Sequence, residues 1–339
     1  MGKMLGRKLF CDFMKATAIA PSNIAFTKYW GFRDGKLYLP NNNTISMNLS
    51  ACKTKTTVEF SPEFKEDFLK INGEFASEKE TKRASAHLDH IRKLAGISLR
   101  AKVYSENSFP KGAGIASSAS AHAALAVAGA KAAGLNLNER ELSCLARLGS
   151  GSASRSVPDG FSEWVAADMH ENSFAHSLAP PEHWKILDIT AIVSEGEKKV
   201  GSVDGHRLAA TSPLYSARLA HMKEHNDKVR KALLEKDFDL MGKIIEKDSL
   251  SLHAVMITSE PSIRYWNSAS LKLMNAIESW RAQGIKAYHT FDAGPNPHII
   301  TLPEFREEIL SSLREIPEVK SIIVNEPCEG ARLCDEHLF

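Results

Sequence analysis

Apolar and polar positions change period several times along this chain, and each change marks an expected element. Between Lys15 and Phe60, short apolar runs are broken by Pro21, Gly31, Gly35 and Pro40-Asn41-Asn42-Asn43. That is the pattern of strands and hairpins with loops between them, and residues 44–49 alternate as a strand does. From about 77 to 94 the spacing turns helical, with Ala84, Ala86, Leu88, Ile91 and Leu94 on one face and Gly96 placed to stop the helix. Residues 99–104 read as a strand. A helix is predicted over 117–133 and stopped by Gly134, and another runs from Asn138 to about 148, where Gly149-Ser150-Gly151-Ser152 breaks it. Further on, 185–193 predicts a buried strand, followed by amphipathic helices at about 211–235, 238–256 and 263–282. Strands at 285–290 and 299–302, a helix at 302–313 and a strand at 321–324 complete an α+β pattern of split βαβ character. No segment repeats, and none is of low complexity.

Length and composition narrow the class. A chain of 339 residues suits two lobes sharing a cleft better than one core. The expected division is a disordered extension at 1–14, an N-terminal lobe at 15–184 and a C-terminal lobe at 185–339. A formal charge of +2 gives no overall bias toward nucleic acid or a membrane surface, so any anion site must be local. The cysteines at 11, 52, 144, 328 and 334 form neither a CxxC pair nor a Cys/His ligand spacing. This argues against structural zinc and a secreted disulfide framework, and points to a reducing cytoplasm. Lys3, Arg7 and Lys8 precede an apolar run that Asp12 ends after three residues, too short for a signal peptide. No apolar run approaches the roughly 20 residues that span a bilayer.

Four separated segments are rich in groups that bind phosphate and carboxylate. Residues 110–121, Pro-Lys-Gly-Ala-Gly-Ile-Ala-Ser-Ser-Ala-Ser-Ala, run from the strand at 99–104 into the alanine-rich helix. Gly112 and Gly114 let backbone approach a ligand, Ile115 and Ala116 add N–H groups, and Ser117 and Ser118 supply hydroxyls at a helix start that favours anions. The second segment runs from Ala20 to Gly31 and contains Lys28 and Tyr29. The third is Gly149 to Arg155, where adjacent donors and hydroxyls precede a guanidinium fork. The fourth is the turn carrying Asp292. Each also has an ordinary explanation: a Gly/Ser loop capping a helix, a solvated Lys28, a surface Arg155, an Asp292 that caps its own turn.

Taken together and in order, these segments resemble the mevalonate diphosphate decarboxylases of the GHMP kinase superfamily. The motifs are Ala20-Pro-Ser-Asn-Ile-Ala-Phe-Thr-Lys-Tyr-Trp-Gly31, Asn43-Thr-Ile-Ser46, Pro110 to Ser118, Gly149 to Arg155 with Gly160-Phe-Ser-Glu-Trp164, Leu252-His-Ala-Val-Met256 and Thr290-Phe-Asp-Ala-Gly-Pro-Asn296. The resemblance implies a two-lobed GHMP kinase-like fold with the active-site cleft between lobes. It implies ATP-dependent decarboxylation of 5-diphosphomevalonate to isopentenyl diphosphate, ADP, phosphate and carbon dioxide, with ATP and magnesium. Asp292, Lys28 and Arg155 take the catalytic positions, and Tyr29, Ser150, Gly151, Ser152, Arg155 and Ser202 those that touch substrate. Gly112, Gly114, Ile115, Ala116, Ser117 and Ser118 take those that cradle ATP, with Ser118 toward the metal. A cytoplasmic homodimer acting on a small phosphorylated mevalonate, without nucleic acid or membrane, is the implied setting.

Two positions depart from the family pattern. Phe32 stands where Lys-Tyr-Trp-Gly is usually followed by lysine, and Val203 stands where an arginine is usual. Both cations face the terminal phosphate in the family, so their loss implies a 5-phosphomevalonate substrate unless Lys198, Lys199, Arg33 or His206 restores the charge. A sister kinase that stops after phosphorylation would lack part of the Lys28, Asp292 and Arg155 set. A non-catalytic sensor on the same fold would have lost the glycine loop or Asp292.

Overall fold

The computed structural model describes residues 14–109, 117–196 and 200–339. Among these, the first seven strands lie in one eight-stranded sheet: β1 (Lys15–Ala25), β2 (Thr44–Ser61), β3 (Phe68–Ile71), β4 (Glu74–Phe75), β5 (Arg100–Asn107), β6 (Phe161–Trp164) and β7 (Ala175–Ala179). The second half contributes β8 (Leu187–Ile192), β9 (Ala287–Thr290), β10 (His298–Thr301), β11 (Ser321–Asn325) and β12 (Arg332–Cys334).

β2 organises the first sheet. β1 pairs with it antiparallel along its length, shifting register between Pro21 and Ser22, where proline cannot donate to the ladder. On its other side β6 takes Thr44 to Met47 and β5 takes Thr54 to Ser61. The helix Ser117–Ala132 lies across β1 and β2 and is buried on nearly all sides, which its small side chains permit. A Cβ at Gly129 would come within 2.6 Å of Ile91 on the helix Glu78–Ala95, so glycine sets how closely those two helices approach. The glycine stop expected at position 96 is present, with Gly96 left-handed at φ 65°.

The smaller sheet runs β11-β8-β10-β9, all antiparallel, which is the strand order of a split βαβ unit and agrees with the expected α+β class. One face packs on the helices Ser268–Ala282 and Arg306–Arg314. The other faces Tyr215–Glu235 and Phe238–Ile257, whose apolar residues continue into Ile45, Met47 and Leu49 of β2. A single core therefore joins the two sheets at the level of β2.

Several boundaries differ from the sequence reading, three of them with a consequence for the fold. The helix expected at 263–282 begins at Ser268, capped by Asn267, because Pro261 and the extended residues after it cannot enter the helix. Gly149 to Ser152, read as a break, leads directly into a 3-10 helix from Gly151 to Ser156. The last residues do not stay in the second lobe: β12 pairs with β1, and Thr17 Oγ1 bonds His337 Nδ1 at 2.6 Å.

Candidate active site

Where β1 ends, the chain turns through Phe26 and Thr27, whose N–H groups both donate to the Ile45 carbonyl, and Lys28 enters the space between the sheets. Its main chain is held on both sides. The Lys28 N–H donates to Asp248 Oδ2 at 2.7 Å, and its carbonyl accepts from Asn42 at 3.2 Å and Arg218 at 3.3 Å. Its Nζ lies 2.8 Å from Asp292 Oδ1, with the lysine side chain 2% exposed and the aspartate 23%. Asp292 sits in the turn between β9 and β10. That turn is pinned by Asn296, which accepts from the Val193 and Ser194 N–H groups at 2.8 and 3.0 Å, and by Ser270, which donates to the Pro295 carbonyl at 2.6 Å.

The acidity of Asp292 reflects competing effects. Burial alone would raise its pKa, but Lys28, then His298 and Arg155, outweigh burial and hold it at about 2. Burial pushes the Lys28 ammonium down, and Asp292 opposes that shift. Because the folded-state pKa of Asp292 lies below the unfolded value of about 3.9, the pair stabilises the fold above about pH 4. That contribution is lost as the pH falls toward about 2. Unfolding measured at pH 5 and pH 3 is expected to show the stability gap between wild type and Asp292→Asn shrinking, on the way to a full loss of about 2 kcal/mol at still lower pH. A gap independent of pH would contradict this account.

Arg155 is carried by the short 3-10 helix and is buried. Its Nε and Nη2 donate to Asn23 Oδ1 at 3.1 and 3.0 Å, and its Nη1 donates to Thr44 Oγ1 at 3.1 Å. Among the described residues it has no ion-pair partner, and burial lowers its pKa to about 10, with Asp292 opposing. Asn23 also fixes the segment that carries it, donating to the Ser152 carbonyl at 3.1 Å and Ser156 Oγ at 2.8 Å. A fixed, buried fork without a counter-charge is what an incoming carboxylate would complete.

The serines gather as expected. Ser118 Oγ lies 3.2 Å from Ser150 Oγ, which lies 3.3 Å from Ser152 Oγ. Ser117 and Ser118 open a helix with no acidic residue in its first turn, which suits an anion. Gly112, Gly114, Ile115 and Ala116 lie outside the described residues. Among the described residues no group of three or more His, Cys, Asp or Glu could hold a metal, and the Ser117 and Ser118 hydroxyls at the helix start are of the kind that fits a magnesium ion taking its other ligands from phosphates and water. Gly151 passes close to Tyr29, where a Cβ would come within 2.7 Å of the ring, and the buried Tyr29 hydroxyl has no hydrogen-bond partner among the described residues. Ser202 is exposed at the start of the helix Ser202–Leu208.

Both departures from the family pattern meet on that short helix. Phe32 stacks on His206 with centroids 4.8 Å apart, and Val203 lies three residues before His206 on the same side. His206 bonds the Gly31 N–H at 3.0 Å, and burial holds its pKa near 3, so it supplies no cation at neutral pH. Arg33 is turned to Asp168. Lys198 and Lys199 lie outside the described residues.

Asp248, Arg218 and Ser249, which hold Lys28 and the residue before Asp292, were not singled out in the sequence. The available signal was an aspartate and a serine at core-facing positions of an amphipathic helix, between Ile244, Ile245 and Leu252.

Comparison with known proteins matches residues 20–175 to a diphosphomevalonate decarboxylase-like N-terminal domain and residues 189–331 to a mevalonate 5-diphosphate decarboxylase C-terminal domain. The chain is 40% identical over 316 residues to the diphosphomevalonate decarboxylase of Candida albicans, covering 88% of this chain and 87% of that one. Among solved structures, MDDEF in complex with MVAPP, AMPPCP and magnesium superposes with a TM-score of 0.90 at 37% identity, covering 95% of this chain and 99% of that one. Mevalonate diphosphate decarboxylase from Staphylococcus aureus superposes with a TM-score of 0.89 at 35% identity, covering 95% and 98%.

Proposed function

The chain belongs to the diphosphomevalonate decarboxylase family, and we propose that it catalyses ATP-dependent decarboxylation of 5-diphosphomevalonate, giving isopentenyl diphosphate, ADP, phosphate and carbon dioxide. The observation that carries this reading is the ion pair of the buried Lys28 with the partly exposed Asp292, beside an Arg155 that has no ion-pair partner among the described residues. Together they offer a site for a hydroxyl, a phosphoryl group and a carboxylate within range of one another's charge.

In this reading Arg155 clamps the substrate carboxylate, and Asp292 accepts the hydrogen bond of the 3-hydroxyl and aims its oxygen at the γ-phosphorus. A carboxylate with a pKa of about 2 is a weak base, so it takes the proton only as the new oxygen–phosphorus bond forms and ADP departs. Lys28 then balances charge on the transferred phosphoryl group. When the bond from carbon 3 to the phosphate oxygen breaks, the electrons of the bond to the carboxylate form the double bond, and carbon dioxide leaves. Loss of the carboxylate removes the anion that Arg155 held. The 110–118 loop with Ser117, Ser118 and Ser150 cradles the ATP phosphates, and Tyr29, Gly151 and Ser152 line the substrate side. Magnesium, held by Ser118 with phosphate oxygens, would neutralise charge on the phosphates. The first lobe, 15–184, binds ATP, and the cleft against the second lobe takes the substrate. The enzyme works as a cytoplasmic homodimer; the free thiols of the described cysteines support a reducing compartment. Purified protein with magnesium and ATP is expected to release carbon dioxide and ADP in equal amounts, and release from neither mevalonate phosphate would overturn the reading.

One observation favours a second substrate, 5-phosphomevalonate, giving isopentenyl phosphate. Where the family places two cations, this chain stacks Phe32 on a neutral His206 beside Val203. Each charge-assisted hydrogen bond contributes about 1.5–3 kcal/mol, so losing two would cost the diphosphate at least about a hundredfold in binding. Side-by-side kcat/KM values for the two substrates decide it. Under the second reading the monophosphate wins, and Phe32→Lys with Val203→Arg moves the preference toward the diphosphate.

A further inference from the structure

One face of the helix Phe238–Ile257 reaches both halves of the ion pair. Asp248 Oδ2 accepts the Lys28 N–H at 2.7 Å, and the neighbouring Ser249 Oγ accepts the N–H of Phe291, the residue before Asp292, at 2.8 Å. One turn on, His253 stacks on Trp266 with centroids 4.2 Å apart and meets Phe291 edge-on at 6.0 Å. Arg218, from the adjacent helix Tyr215–Glu235, bonds Asp248 and donates to the Lys28 carbonyl. Asp248 and Ser249 are fully buried.

We propose that Asp248 and Ser249 are positioning residues that set the spacing between Lys28 Nζ and Asp292 Oδ1, and with it the aim of the Asp292 carboxylate. Lys28 and Asp292 lie 264 positions apart in the chain and follow strands, β1 and β9, of different sheets. A lysine on a flexible four-carbon stem finds a carboxylate over a range of separations, so the side-chain contact alone does not fix the geometry. Two main-chain anchors on adjacent residues of one rigid helix do fix it, because the rise between them is only about 1.5 Å. Asp248 holds the strand-end side and Ser249 the turn side, so the helix acts as a gauge between them.

The inference rests on the reaction proposed above, and its test includes a readout independent of turnover. In Ser249→Ala the Phe291 N–H loses its acceptor and the turn can drift. With kcat normalised to folded sites, this variant is expected to lose about ten- to a hundredfold in kcat while KM for ATP and for the mevalonate phosphate stays within about twofold. The charged or titratable groups facing Asp292 are Lys28, Arg155, His298 and His253, and the substitution leaves all four in place. An upward move of the Asp292 carboxyl midpoint, followed by carbon-13 NMR, therefore reports a looser Lys28 contact. Ser249→Thr, which keeps the hydroxyl, is expected to restore both readouts. Should Ser249→Ala not fold, Ser249→Cys, with its weaker acceptor, is expected to show the same shifts on a smaller scale. An unmoved Asp292 midpoint in a folded variant, with activity lost only in proportion to folded protein, would overturn the proposal. Absence of carbon dioxide release by wild type would instead strike the reaction, and the NMR comparison would still decide the positioning.

Discussion

Asp292→Asn is expected to lower kcat by about 10²- to 10⁴-fold, the range for a group that handles a proton in the transition state, with both KM values nearly unchanged. Asparagine has nearly the same shape and still offers Lys28 an oxygen, so the turn pinned by Asn296 and Ser270 stays in place. What disappears is the negative charge that, in the proposed reaction, receives the hydroxyl proton. Lys28 loses its counter-charge as well, and burial already works against its ammonium form. The phosphoryl group would then meet a weaker cation at the moment its charge develops. Parallel assays of ADP and carbon dioxide test this: both should fall together, since the proton step precedes decarboxylation. A loss of less than about tenfold would remove Asp292 from the proton step.

Arg155→Leu should separate activity from stability. The guanidinium is held by neutral oxygens of Asn23 and Thr44, and among the described residues no carboxylate forms an ion pair with it, Asp292 acting on its charge only from farther off. Burying such a charge costs the fold several kcal/mol, and apolar replacement of buried charges is often neutral or stabilising by about 1–4 kcal/mol. Against that gain, Asn23 loses a donor at a cost of about 1–3 kcal/mol. The two nearly cancel, so the thermal midpoint should stay within a few degrees. By contrast, two charge-assisted hydrogen bonds to a carboxylate are together worth about 3–6 kcal/mol, a loss of about 10²- to 10⁴-fold in kcat/KM. Loss of stability and activity in step would mean that Arg155 is a structural residue.

The sequence made the local elements readable wherever a cap or stop has a chemical signature. Asn138 caps its helix with Glu141 in a reciprocal box, and Gly96 and Gly134 adopt the left-handed conformation that ends a helix. The candidate residues Lys28, Arg155 and Asp292 stood out because they lie in motifs with unusual residue combinations, and the structure brings them within range of one another's charge. What was not readable depends on contacts between distant segments. β2 was visible only over 44–49, since its later half is more polar and owes its strand form to β1 and β5 on either side. Asp248 gave no motif. Its role exists only once Lys28 and Arg218 converge on it from 220 and 30 positions away. The rings packed on Phe32 were likewise hidden, because His206 reaches it only after the helix Ser202–Leu208 folds over Trp30.

The pairing of β12 with β1 bears on the order of events during synthesis. β1 is made before the other described strands, yet among the described residues its outer edge has no partner until β12 emerges, more than three hundred residues later. Throughout that interval the first sheet presents an open ladder of N–H and C=O groups, the kind of edge on which other chains add. Ser50 and Ala51 of β2 likewise wait for Asn325 and Glu326 to bond them across the two sheets. Lys28, Arg155 and Asp292 all precede β12 in the chain and can come together before then. The growing chain can therefore hold an assembled site on an unfinished sheet, and is safe from edge-to-edge association only once its last strand is in place.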